Sequence, residues 1–161
     1  MNNVVKLLQQ YINEGQLEKA LIECKKLVQA NSNEIYPLKL LAHIYFLKEE
    51  YQPAIDTTLK ILEKKSDDFD SNNNLGSYYL KIEELKKALF YIDKAKQINP
   101  EHPAPYQNHG ETLMKMRDFK GAVGHIDKCI SQHETYSDDY ITYKSTLILR
   151  IEIYIALKEQ S

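Results

Sequence analysis

A fixed repeat period runs through the chain and constrains its fold more than any other feature of the sequence. Alanine recurs every 34 residues, without slippage, at Ala20, Ala54, Ala88 and Ala122. A large apolar residue stands three positions before each alanine: Leu17, Tyr51, Leu85 and Phe119. A fixed period of this length is typical of repeat arrays, in which each unit buries its apolar side against its neighbours.

Each period predicts two amphipathic helices joined by a turn. Within residues 38–50, apolar residues recur at the spacing of one helical face, and residues 51–64 are predicted to form a second helix. Small residues such as Gly76 and Ala88 stand on both predicted helices of a hairpin. We expect these small residues to let the two helices approach closely.

The composition favours one packed, helix-rich domain and argues against several function classes. The chain has 161 residues, 43% of them apolar, with only five glycines and five prolines. A net charge of −2 and only two arginines argue against nucleic-acid binding. No apolar run approaches the roughly 20 residues of a membrane span, and the N-terminus lacks the pattern of a secretory signal. Since Cys24 and Cys129 are too few for a disulfide framework, we expect a cytoplasmic protein without membrane insertion.

The third unit carries a motif that resembles a known repeat family. Its residues Asn74-Leu75-Gly76, Tyr79, Ala88, Ile92, Ala95 and Pro100 are similar to the tetratricopeptide repeat, or TPR. The resemblance implies an all-α fold, a right-handed superhelical solenoid of four TPR helix-turn-helix hairpins plus a C-terminal capping helix. The implied repeats are residues 1–34, 35–68, 69–102 and 103–136, with the capping helix at 137–161. The fourth unit departs from the pattern at His109, where leucine is expected.

The resemblance also implies a non-catalytic adaptor or scaffold that binds an extended segment of another protein. In TPR modules the first helix of each unit lines a concave groove. By that register, the groove residues are Tyr36, Lys39, His43, Phe46, Asn73, Asn74, Ser77, Gln107, Asn108, Glu111 and Met114. Asn74 and Asn108 occupy the same place in successive units. Their side-chain amides match the donors and acceptors of an extended peptide backbone.

Two other functions remain open within the same family. TPR arrays also precede the catalytic domains of glycosyltransferases and sulfotransferases, and small TPR chaperones serve bacterial secretion systems. A chaperone adaptor of the kind that clamps a C-terminal carboxylate is disfavoured, because the cationic cluster that such a clamp needs is missing here.

The sequence contains no motif of phosphate, dinucleotide or zinc-protease chemistry. His125, Cys129 and His133 are spaced i, i+4, i+8 on one predicted helix, with His109 as a neighbour, and zinc accepts such ligands. Cys129, however, fills the small-residue position that Ala95 fills one unit earlier, which favours a buried core thiol. We expect no catalytic residue, cofactor or metal.

The C-terminal segment 146–157 is apolar almost all round. Its alternation also fits a β-strand, but its place in the array favours a helix. Leu147, Ile151 and Tyr154 are predicted to cover the fourth unit. The second side, formed by Leu149, Ile153 and Ala156, is then predicted to contact a second subunit in a homodimer or a further domain in cis.

Overall fold

All regular elements of the described residues are α-helices, which confirms the predicted all-α fold class. The computed structural model describes the backbone of residues 2–136 and 140–159 and the side chains of residues 3–133 and 144–159. The chain divides into two compact units, one ending at Ser71 and one beginning at Asn72. In chain order the helices are α1 (Asn2–Asn13), α2 (Leu17–Ala30), α3 (Ile35–Leu47), α4 (Tyr51–Lys64), α5 (Phe69–Lys81), α6 (Leu85–Ile98), α7 (Pro103–Lys115), α8 (Phe119–Tyr136) and α9 (Tyr140–Glu159).

The turn inside each hairpin has the same backbone conformation, repeated once per period. One residue of each turn adopts a left-handed conformation with φ between 60° and 70°: Gly15, Glu49, Glu83 and Arg117. The next residue donates its backbone N–H to the carbonyl five positions earlier, as from Gln16 to Tyr11 at 2.8 Å. This pattern is the Schellman C-cap, which satisfies the last carbonyls of the first helix and reverses the chain.

Glycine fits this left-handed position better than any other residue, and only the first turn has one. Replacing Glu49 by glycine should therefore raise the free energy of unfolding by about 1 kcal/mol, because it removes the Cβ clash of the left-handed conformation. Gly15→Ala should lower the free energy of unfolding by a similar amount. Urea unfolding followed by circular dichroism measures both effects.

The control is the same substitution at an ordinary helical position. Glu63→Gly, at an exposed site in α4, should lower stability, because glycine costs conformational entropy in a helix. If Glu49→Gly and Glu63→Gly change stability in the same direction, the backbone account of the turns is wrong.

The close approach of the two helices of a hairpin is confirmed where the small residues are glycine. A Cβ added at Gly76 on α5 would lie 2.5 Å from Ile92 Cγ1 on α6, and one added at Gly110 would meet Ile126 in the same way. The four alanines that define the repeat period are all fully buried. Each of these positions therefore sets how closely two helices can pack.

Gly76→Ala should lower the free energy of unfolding by about 1–3 kcal/mol, because the new methyl group has no space beside Ile92. The matched control is Gly124→Ala on α8, where an added Cβ meets nothing within 4 Å. There the substitution should raise stability by up to about 1 kcal/mol through helix propensity. Thermal unfolding of the two variants checks the contrast, and equal shifts in the same direction would contradict it.

Each unit has its own apolar core. In the first unit, buried residues of α1, α2 and α3 form one cluster that includes Leu8, Cys24 and Ile44. In the second unit, Ala122 and Ile126 of α8 pack with Ile153 of α9. The predicted helical state of the C-terminal segment is thus confirmed, and its helix packs against α8 and α7.

The prediction of which side of α9 faces outward is wrong. Ile153 is fully buried, and Leu149 packs against the same cluster, whereas Ile151 and Tyr154 are 60% and 49% exposed. Ala156 is only half-buried. The side predicted to contact another subunit or domain therefore covers the fourth repeat instead.

Two polar contacts accompany this orientation of α9. The Thr146 hydroxyl lies 3.8 Å from the Cys129 thiol, and Arg150 Nε lies 2.7 Å from an Asp127 carboxylate oxygen. Both contacts lie on the same side of α9 as Ile153. An almost uniformly apolar helix carries no periodic signal that could have revealed this orientation. No helix within the described parts of the chain is long and apolar enough to cross a membrane.

Candidate functional site

The predicted binding residues of the first unit share one side of α3. Tyr36 and His43 are exposed, and Lys39 and Phe46 are half-buried. The Phe46 ring packs against Tyr51 of the following helix, with ring centroids 5.9 Å apart. The structure thus places all four on one surface of α3, with the two aromatic rings of Tyr36 and Phe46 at its ends.

Lys39 is held by two carboxylates of its own unit. Its Nζ lies 2.8 Å from Asp68 Oδ1 and 2.9 Å from Asp70 Oδ2. Burial opposes the charge of Lys39, but the hydrogen bonds to both carboxylates outweigh it and raise the Lys39 pKa. Sequence reasoning placed Lys39 on the binding surface but missed these ion pairs, which neutralise it.

Asp68 also organises the start of α5. Its Oδ1 accepts hydrogen bonds from the backbone N–H and the hydroxyl of Ser71, at 3.0 and 2.8 Å. Burial opposes ionisation of Asp68, yet these bonds and Lys39 lower its pKa. The Lys39–Asp68 pair therefore connects the predicted binding surface of α3 to a helix cap.

The predicted residues of the second unit lie on α5 and α7, and the structure brings two of them together. Asn108 Nδ2 donates to Asn73 Oδ1 across the two helices, at 3.1 Å. Asn74 is exposed beside this pair, and Ser77 and Glu111 are half-buried. Glu111 is the one charged side chain among the predicted residues of this unit, so the surface is otherwise neutral and rich in amides.

The surface extends onto α9, which sequence reasoning missed. Gln107 Nε2 donates to the Ser145 hydroxyl at 3.2 Å. Ser145 follows Glu111 by one repeat period, so continuing the repeat register into α9 would have found it. At the other end of α7, Met114 packs against the Ile153 cluster and is half-buried, so much of it serves the core.

The histidines considered as metal ligands form a different arrangement. His109 of α7 stacks on His125 of α8, with ring centroids 3.8 Å apart. Lys96 Nζ lies 2.6 Å from His109 Nδ1 and also pairs with Asp93 at 2.8 Å. Burial, together with the nearby His125 and Lys96, lowers the His109 pKa to about 4.

Cys129 belongs to the core rather than to this histidine pair. It is fully buried beside Thr146, and burial raises its pKa to about 11. The described side chains include no group of three His, Cys, Asp or Glu residues that could hold a metal ion. His133, the third member of the spaced set, is buried near the end of α8.

His109 makes the stability of the chain depend on pH. Its pKa in the folded chain lies below the ordinary value of 6.5, so folding disfavours its proton. The contribution of neutral His109 to the free energy of unfolding is complete above about pH 6.5. It is lost as the pH falls toward 4, and the total loss is on the order of 2–3 kcal/mol. His109→Gln should flatten the dependence of the unfolding free energy on pH between 4 and 6.5.

Proton NMR of the imidazole rings gives the direct test. The five histidines can be assigned by single substitutions, and His109 should titrate well below the ordinary histidine value of 6.5. A His109 titration near pH 6.5 would contradict the buried, stacked arrangement.

Comparisons with known proteins place this architecture among helical repeats. Residues 69–102 match the family model described as "Tetratricopeptide repeat". The chain is 31% identical over 94 residues to the signal recognition particle receptor FtsY of Aquifex aeolicus. That stretch is 58% of this chain and spans only 18% of the relative's length.

Solved structures share the fold at low sequence identity. MamA from Desulfovibrio magneticus RS-1 is similar with a TM-score of 0.72 at 18% identity, covering 99% of this chain and 96% of that one. The TPR2B domain of yeast Sti1, solved as a pHsp70 complex, has a TM-score of 0.68 at 14% identity, covering 73% of this chain and 93% of that one.

Proposed function

We propose that the chain, in which residues 69–102 match the tetratricopeptide repeat model, is a non-catalytic adaptor that binds an extended segment of another protein. The binding surface in this proposal is the amide-rich side of α5 and α7 in the second unit. The cytoplasm is the proposed location. The single observation that carries the proposal is the cluster of Asn73, Asn74 and Asn108 on adjoining first helices.

These amides suit a peptide backbone. The Asn73–Asn108 bond holds two side chains in a defined orientation and uses one N–H of Asn108 and one acceptor position of Asn73, out of several on each amide. Pre-orientation lowers the entropy lost when a ligand binds. Asn74 adds an exposed amide beside the pair, so one extended strand could exchange hydrogen bonds with α5 and α7 together.

The charges of the candidate residues disfavour a carboxylate-terminated ligand. Glu111 is acidic, and Lys39 of the first unit is already neutralised by Asp68 and Asp70. Although the Sti1 domain was solved as a pHsp70 complex, we propose a different ligand class here. An internal, neutral or basic segment would bind without the penalty of an unpaired carboxylate.

A peptide-display selection on the full chain, followed by affinity measurements, tests the proposal. The double variant Asn74→Ala/Asn108→Ala should weaken the selected peptides by about tenfold to a hundredfold, because each lost hydrogen bond contributes about 0.5–1.5 kcal/mol. The control is Gln97→Ala, at an exposed site on α6. The selected peptides should retain full affinity for this control variant. If the double variant binds them as tightly as the wild type, the amide surface is not the binding site.

One observation favours a second candidate, a repeat arm of a larger protein. The likeness to FtsY occupies 94 residues of a much longer relative. In this alternative, the exposed side of α9 that carries Ile148, Ile151 and Ile155 would contact the rest of that protein. Immunoblotting of the native source with an antibody to this chain separates the two candidates. A band at 18.8 kDa supports the adaptor, and only larger bands support the arm.

A further inference from the structure

Phe90 is exposed in the middle of α6, unlike the other three phenylalanines of the chain. Its exposed fraction is 54%, whereas Phe46, Phe69 and Phe119 are all half-buried. The opposite side of α6 is fully packed, since Ala88, Ile92 and Ala95 have no exposed surface. Phe90 therefore lies outside the buried side by which α6 is anchored.

The repeat itself does not require an aromatic ring at this position. The residues at the equivalent place of the four units are Ile22, Asp56, Phe90 and Gly124. Isoleucine, aspartate, phenylalanine and glycine share neither size nor polarity, so the position is free of any packing demand. An exposed large aromatic residue at a position without a structural role is a feature of binding surfaces.

Lysines surround the ring of Phe90. Lys86 and Lys94 stand one turn before and one turn after it. Lys87 lies on the same side and also pairs with Glu84 at 3.6 Å. The Lys94 ammonium lies 4.6 Å from the centre of the Phe90 ring, and Lys87 lies 5.4 Å from that of Tyr79. The fourth lysine of α6, Lys96, pairs instead with Asp93 at 2.8 Å. The other three stand near Phe90 in a chain whose net charge is −2.

Packed aromatic rings support Phe90 from beneath. Phe90 meets Tyr91 edge to face at 5.0 Å, and Tyr91 stacks on Tyr79 at 5.6 Å with an angle of 9° between the rings. The exposed ring of Phe90 therefore packs against a stacked pair of tyrosine rings. Rigid aromatic residues lose little entropy on binding and are enriched among the energetically dominant contacts of interfaces.

We infer that Phe90, with Lys86, Lys87 and Lys94, forms a second docking surface, which binds an acidic protein segment carrying an apolar side chain. The lysines supply the charge complementarity, and the ring supplies the apolar contact. A membrane surface fits less well, because insertion needs a broad free apolar side, and that side of α6 is buried in the core. The surface lies on a second helix and uses none of the residues of the amide surface on α5 and α7.

Two peptide pools, displayed separately, test the inference on the full chain. Each pool holds short peptides of equal length with one variable apolar residue, one pool in an acidic background of Asp and Glu and the other in a basic background of Lys and Arg. We expect enrichment from the acidic pool. The selected peptides should bind Phe90→Ala at least about tenfold more weakly, and raising the salt from roughly 50 mM to roughly 300 mM should also weaken binding, because salt screens exposed charges.

Three controls separate this surface from the others. Ile22→Ala removes an equally exposed apolar residue at the equivalent repeat position, and it should leave the affinity unchanged. Asn74→Ala/Asn108→Ala should also leave it unchanged, which distinguishes failure here from failure of the proposed peptide-binding function. Circular dichroism should show that Phe90→Ala remains folded, since the ring is exposed.

Three results would overturn the inference. The first is no enrichment of the acidic pool over the basic one, and the second is selected peptides that bind Phe90→Ala as tightly as the wild type. The third concerns vesicles of phosphatidylcholine and phosphatidylserine, mixed three to one. The chain would bind them more strongly than the acidic peptides, and Phe90→Ala would abolish this binding. The last result would assign the same residues to an anionic membrane instead.

Discussion

The contact between a small residue on one helix and a branched residue on its partner underlies the packing of the hairpins in this protein. At Gly76 and Gly110 the backbone of a first helix lies so close to Ile92 and Ile126 that no side chain fits between them. Close-packed helices gain dispersion contacts along their whole length. The same contact occurs in these two hairpins one repeat period apart, where it sets the distance between the helices.

This packing determines which side chains remain for binding. The buried sides of α5, α6 and α7 are committed to the hairpins, so their outward sides are free to vary in chemistry. On α5 and α7 the outward residues are neutral amides such as Asn73 and Asn108. On α6 they are lysines around Phe90. One scaffold thus presents two surfaces of different polarity outside its core.

The repeat period predicted the fold well because the buried alanines and glycines pack against residues of the same hairpin. These contacts therefore lie at fixed sequence separations. The candidate site was less predictable. The register placed Lys39 on the outward side of α3, but its ion pairs with Asp68 and Asp70 depend on where the next helix begins. The orientation of α9 could not be predicted from a helix that is apolar all round. In the structure, Ile153 packs against α8, and Arg150 pairs with Asp127. Ser145 and Phe90 could have been found by comparing equivalent positions across the repeats, because each lies one repeat period after an earlier position, Glu111 and Asp56.

The most direct test of these glycine–isoleucine contacts is NMR spectroscopy on the full chain with labelled isoleucine methyl groups. We expect strong nuclear Overhauser effects between the δ1 methyl of Ile92 and the α protons of Gly76, and between the δ1 methyl of Ile126 and the α protons of Gly110. If both glycines lack these effects, and the two methyl groups show contacts to other residues instead, the hairpins do not pack through these positions.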